Sequence, residues 1–137
     1  MNRFLIPTLL VAATLLAACE REPSREARAQ DRYALELANC AAYYAVMADC
    51  VEVRTEADQA NVAQTKVLAL RAMRMSAELS SGETASARVD RGVKRINERL
   101  QNQCLDPQPV IEEYGQLCVK AVDDPQGRAA HWLDAVE

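Results

Sequence analysis

Between Asp31 and Val53, the residues Tyr33, Leu37, Cys40, Tyr44, Met47 and Val51 recur at alternating spacings of four and three. That period places them on one face of an α-helix and is incompatible with the strict alternation of a half-buried strand. Beside this stripe runs a second row, Ala34, Ala38, Ala41, Ala45 and Ala48. Small side chains in a row let a neighbouring helix approach closely. Alanine is abundant along the chain and glycine is held to four residues, which favours helices over a β-rich domain. Tyr43-Tyr44 reads as one core tyrosine beside a partly exposed neighbour.

The same logic divides the rest of the chain. Thr55-Glu56-Ala57-Asp58 has the pattern of a capping box and opens a helix running to about Leu79. Two adjacent apolar rows are expected on it: Ala60, Ala63, Val67 and Leu70, then Leu68, Ala72, Met75 and Leu79. The methionines read as gap-filling core. Ser80 with Glu83 suggests the next cap, for a third helix of about 83–103 that buries Val89, Val93, Ile96 and Leu100 and continues to Cys104. Asp106-Pro107-Gln108-Pro109 interrupts helix. A fourth helix of about 110–122 follows, with Val110, Ile111, Tyr114, Leu117, Cys118 and Ala121 inward. Asp124 as N-cap with Pro125 at the first helical position starts a short fifth helix. Its expected buried residues are Ala129, Trp132, Leu133 and Val136. Short connections favour an all-α, antiparallel, up-down four-helix bundle with a short C-terminal helix.

The N-terminus has a different character. Met1-Asn2-Arg3 carries one positive charge, and Phe4 to Ala18 is an apolar run interrupted only by Pro7 and two threonines. It is shorter than the roughly 20 residues a spanning helix needs, and so reads as a signal peptide. Leu16-Ala17-Ala18-Cys19 resembles the lipobox of bacterial lipoproteins: Leu, two small residues, then cysteine. The resemblance implies cleavage before Cys19 and lipidation of Cys19. It also implies residence in the cell envelope. In that class Asp after the cysteine is the usual inner-membrane retention signal. Glu20 stands here, so export to the outer membrane, facing the periplasm, is expected. Segment 19–30 is charged, contains Pro23 and reads mostly as a solvated tether before a domain of 31–137. The eleven residues from Glu20 to Gln30, fully extended, would reach roughly 35–40 Å.

With Cys19 acylated, Cys40, Cys50, Cys104 and Cys118 remain, an even number in an exported chain. Their spacings do not match the compact pairs of a structural zinc site, so two disulfides are expected and no metal. Cys40 and Cys50 lie about 15 Å apart along one helix and cannot bond each other. In an up-down bundle Cys50 and Cys104 share one level and Cys40 and Cys118 another. The expected bonds are therefore Cys50–Cys104 and Cys40–Cys118.

The chemistry of catalysis is sparse. His131 is the only histidine, with no nucleophile motif beside it. There is no Gly-rich phosphate loop, no His-Glu-x-x-His and no EF-hand loop. Neither an enzyme nor a cofactor is expected. The formal net charge is −4, and loss of Arg3 makes the remainder one charge more acidic, which argues against general nucleic-acid binding. Arg88, Arg91, Arg95 and Arg99 fall within about 80° on the third helix. A solvated face is the plain reading. A contact surface for anionic headgroups, cell-wall polymer or an acidic partner is the sharper one. Two functional classes follow: a non-catalytic structural or interaction module of the envelope, or an inhibitor, immunity or exclusion-type lipoprotein that neutralises a toxin, hydrolase or incoming element. A ligand carrier is a weaker third, because an alanine-rich core packs tightly.

Overall fold

A computed structural model describes residues 22–137. The signal peptide, the lipobox with Cys19 and the first tether residues lie outside the described residues. The chain is all-α, with no strand among the described residues: α1 (Arg25–Cys50), α2 (Glu56–Leu79), α3 (Gly82–Arg99), α4 (Gln108–Asp123) and α5 (Pro125–Ala135). Helix α1 packs against each of the other four.

Helix α1 starts within the segment read as a tether. The Ser24 hydroxyl accepts from the Ala27 N–H at 3.1 Å, which caps the helix six residues before Asp31. Arg25 to Ala29 are strong helix formers, and Ala29 is already buried. The helix ends at Cys50, so Val51 leaves the stripe, extended and 40% exposed. Between Tyr33 and Ala48 the helix is buried on nearly every side, because its apolar stripe and its alanine row face different neighbours. A Cβ added at Gly92 of α3 would lie 2.7 Å from the Ala42 Cβ. Only a glycine opposite an alanine permits this approach.

The caps fix the remaining helices. Thr55 and Asp58 form a reciprocal capping box at α2. The backbone N–H of Arg54, then the hydroxyl and N–H of Thr55, hold the Asp58 carboxyl below its usual range. At α3 the cap is Ser81, whose hydroxyl accepts from Thr84, rather than Ser80 with Glu83. Helix α3 ends at Arg99, short of Gln103. Gln101, Asn102 and Cys104 all have positive φ, a left-handed conformation that helix cannot continue through. Asp124 caps α5 with Pro125 at its first turn.

Packing departs from the expected stripes in four places. The α2 row Leu68, Ala72, Met75 and Leu79 faces the core, but Ala60, Ala63, Val67 and Leu70 are exposed, Val67 at 61% and Leu70 at 68%. A helix on the outside of α1 has one neighbour-facing side, and the second row falls on the other. Ile111 and Leu117 of α4 are likewise exposed, while Val110, Tyr114, Cys118 and Ala121 are buried. Helix α5 buries none of its residues fully: Trp132 and Val136 are half-buried, and Ala129 and Leu133 are exposed. Tyr43 and Tyr44 are both core residues, with Tyr43 stacked on Tyr114 at 5.8 Å between ring centroids.

Cys40 is bonded to Cys118 and Cys50 to Cys104, with Cα separations of 5.2 and 5.4 Å. The bonds close loops of 78 and 54 residues, and in the chain-entropy model each stabilises by about 4 kcal/mol. They fasten α1 to α4 and to the loop after α3. Helix α2 is held instead by packing and by the buried Ser76 hydroxyl, which donates to the Ala34 carbonyl at 2.7 Å.

Candidate functional site

Polar chemistry gathers where α5 crosses α1. Glu36 lies on the buried side of α1 and is only 6% exposed. A lone carboxylate there would be costly, and partners surround it. Arg128 of α5 grips it with both a 2.8 Å Nε–H contact and an Nη2 contact, the fork geometry that suits arginine. The Trp132 indole N–H donates to the same carboxylate at 3.2 Å. Glu36's hydrogen bonds hold the Arg128 guanidinium charged beyond its usual range. One turn away the Tyr33 hydroxyl donates to the Ala121 carbonyl at 2.7 Å. Burial, then the Glu36 charge, pushes its pKa up to about 12.

The two ends of α5 are fastened differently. Arg25 Nε–H donates to the carbonyls of Leu133 and Val136 at 2.9 and 3.0 Å, and Arg28 Nη2 donates to Glu137 at 2.6 Å. The first helical turn of α1 thus caps the C-terminal end of α5. Helix α5 is attached by charge and hydrogen bonds more than by apolar burial. A groove of about 240 Å³ lies beside it, with Arg32, Glu36, Asn39, Tyr114, Leu117 and Trp132 in its walls.

The four arginines of α3 do not form one free face. Arg88 Nη2 pairs with Asp31, while its Nη1 is buried without a hydrogen-bond partner among the described residues. Arg95 donates to the Asn39 side chain at 2.8 Å, and Arg99 pairs with Glu113. That hydrogen bond holds the Glu113 carboxyl below its usual range. Three of the four therefore fasten α3 to α1 and α4. Arg91 is exposed and has no such bond among the described residues.

His131 is exposed on α5, edge-on to Trp132 at 5.4 Å. Among the described residues no group of three or more His, Cys, Asp or Glu could hold a metal ion, and no helix is long and apolar enough to cross a membrane. Sequence reasoning missed Glu36. Its signal was available, because it sits three residues after Tyr33 and four before Cys40, inside the buried stripe. Nothing in the sequence marked Arg128 as its partner. No protein-family model, no curated protein and no solved structure matches this chain.

Proposed function

We propose that this chain is an envelope lipoprotein, anchored through acylated Cys19 and acting as a non-catalytic structural or protein-interaction module. Glu20 favours the outer membrane and the periplasmic side. The observation that carries the reading is the junction of lipobox and fold. Helix α1 is capped at Ser24 and the Pro23 carbonyl accepts from Arg28, so only residues 20–22 separate Cys19 from the fastened backbone of the domain. Three residues reach about 10 Å, far less than the full charged segment would allow. The domain itself is read as an antiparallel up-down bundle of α1 to α4 with α5 strapped across α1. The short connections and the two disulfide levels support that arrangement. The non-catalytic reading draws on Glu36 and Arg128, which neutralise each other where α5 crosses α1.

Intact mass spectrometry of protein extracted from membranes tests the anchor. The expected mass begins at Cys19 with added acyl chains, and Cys19→Ser should move the protein to the soluble periplasmic fraction. A mature chain that keeps Phe4 to Ala18, or a Cys19→Ser variant that still fractionates with membranes, contradicts it.

A second reading, an inhibitor or immunity-type lipoprotein, is favoured by one feature. Leu105 is 82% exposed beside Cys104, on a loop that the bond to Cys50 holds to the end of α1. A protruding apolar side chain is suited to filling a partner's pocket. On this reading Leu105→Ser should abolish protection against the partner enzyme without unfolding the domain.

A further inference from the structure

The two disulfides sit in unlike surroundings. Cys40 and Cys118 lie within α1 and α4 and are fully buried. A reagent reaches their sulfurs only when α1 and α4 part, which is unfolding of the core itself. Cys50 is the last residue of α1, and Cys104 lies in the loop between α3 and α4. Both are half-buried, and their chain neighbours Asp49, Val51, Gln103 and Leu105 are exposed. Access to this bond requires movement of a loop and a helix end, and no helix has to separate from another.

The same loop is held in a conformation that its side chains disfavour. At the end of α3 the Gln101 N–H donates to the Glu98 carbonyl at 3.1 Å and the Asn102 N–H to the Asn97 carbonyl at 2.9 Å. That pair of bonds closes a helix end in which glycine usually takes the left-handed position. Gln101 takes it here with φ of 52°, followed by Asn102 at 56° and Cys104 at 50°. A residue with a Cβ adopts this region at a cost. The turn's hydrogen bonds account for Gln101 and Asn102. No hydrogen bond among the described residues fixes the Cys104 backbone, and its bond to Cys50 ties it to α1. A disulfide that is reachable and that holds a residue in a costly conformation is the kind that thiols open first.

We infer that Cys50–Cys104 is a thiol–disulfide exchange site for a dithiol reductant, and that Cys40–Cys118 keeps the domain folded while the first bond is open. One thiolate of the dithiol attacks a sulfur of the pair. A mixed disulfide forms, the Cys50–Cys104 bond breaks, and the other cysteine leaves as a thiolate and takes up a proton. The reductant's second thiolate then attacks the mixed disulfide, closes its own disulfide and releases the remaining cysteine, which is protonated in turn. Two electrons and two protons pass from the dithiol to the cysteine pair. Exchange lets Cys104 leave the left-handed region and unclamps the loop that carries Leu105. The inference concerns the two bonds and is independent of the lipid anchor.

The test uses the full-length protein purified without reductant. It is incubated with dithiothreitol, quenched in acid and alkylated, and the cysteine peptides are quantified by mass spectrometry. Cys50 and Cys104 should become labelled at least about tenfold faster than Cys40 and Cys118, and the difference should vanish in denaturing guanidinium, where both bonds are equally exposed. Amide exchange of the half-reduced protein reads the loop. The Gln103 amide, which donates to the Leu100 carbonyl at 3.1 Å, should exchange at least about threefold faster, while the α1 amides from Ala34 to Val46 keep their protection. Cys50→Ser with Cys104→Ser should reproduce that pattern with no reductant present. A native rate ratio below tenfold, or a ratio that survives in denaturant, overturns the exchange site. An unchanged Gln103 amide overturns the clamp. Loss of protection between Ala34 and Val46 when only Cys50–Cys104 is open overturns the division of roles between the two bonds.

Discussion

Helices α1 and α2 are nearly the same length, 26 and 24 residues, and both are rich in alanine and leucine-like side chains. Half of α1 is buried, while only Ala72 and Ser76 of α2 are. The difference lies in the number of neighbours. Helix α1 presents Tyr33, Leu37, Cys40 and Tyr44 along one side and alanines along another, and both sides are covered. Helix α2 also carries two apolar rows, but of the two only Leu68, Ala72, Met75 and Leu79 meet the core, with Ala69 and Met73 beside them. An apolar row on a helix therefore does not by itself specify the core. In α2 one such row stays exposed in the folded chain, Val67 and Leu70 among it.

The largest contrast should come from truncating equivalent leucines. Leu37 is fully buried, so Leu37→Ala should cost about 3 kcal/mol in denaturant unfolding. Its counterpart on the exposed row, Leu70, is the smallest case below. Alkaline titration separates the helices next. Tyr33 is the α1 group whose folded pKa is about 12, raised above the ordinary value of 10.0. The protonated hydroxyl thus stabilises the fold fully below pH 10, and that stabilisation is lost as pH rises toward 12. Unfolding free energy should fall by about 2 kcal/mol across this window, and Tyr33→Phe should flatten the decline. Neither buried residue of α2 titrates there.

Gly92→Ala probes the close approach on the alanine side of α1. Better helix propensity contributes about 1 kcal/mol in favour, but the new methyl would lie 2.7 Å from the Ala42 Cβ, and neither backbone can yield cheaply. A net loss of about 1–2 kcal/mol is expected by thermal or denaturant unfolding. Gly92→Ala with Ala42→Gly should recover part of it. Leu70→Ser should change stability by no more than about 0.5 kcal/mol, since its side chain is 68% exposed. A loss above 2 kcal/mol would place Leu70 in a core that α2 does not have.

Much of this architecture was legible in the sequence, for identifiable reasons. The breaks at Ser80-Ser81 and Asp106 to Pro109, the Thr55–Asp58 box and the Asp124-Pro125 start depend on local chemistry, and each falls within a residue or two of an observed helix end. The cysteine pairs followed from helix rise together with the assumed up-down order of the helices. What was not legible depends on how many neighbours a helix acquires. Ala60, Ala63, Val67 and Leu70 have the same period and composition as the buried row, and periodicity cannot choose between them. The arginines of α3 looked like a solvated face because Asp31, Asn39 and Glu113, their partners, lie on other helices. Glu36 was hidden by its type, since a carboxylate in an apolar stripe becomes sensible only once Arg128 and Trp132 arrive from 92 and 96 residues away.

Native-state hydrogen exchange tests most directly the claim that the domain is built on α1 and that α2 is covered on one side only. Amides of α1 between Ala34 and Val46 should exchange only through global unfolding and track the denaturant-derived stability. Amides of α2 between Ala57 and Lys66, where no residue is fully buried, should exchange at least a hundredfold faster through local opening. Equal protection along both helices would contradict the account, because it would require the outer row of α2 to be covered within the folded chain itself.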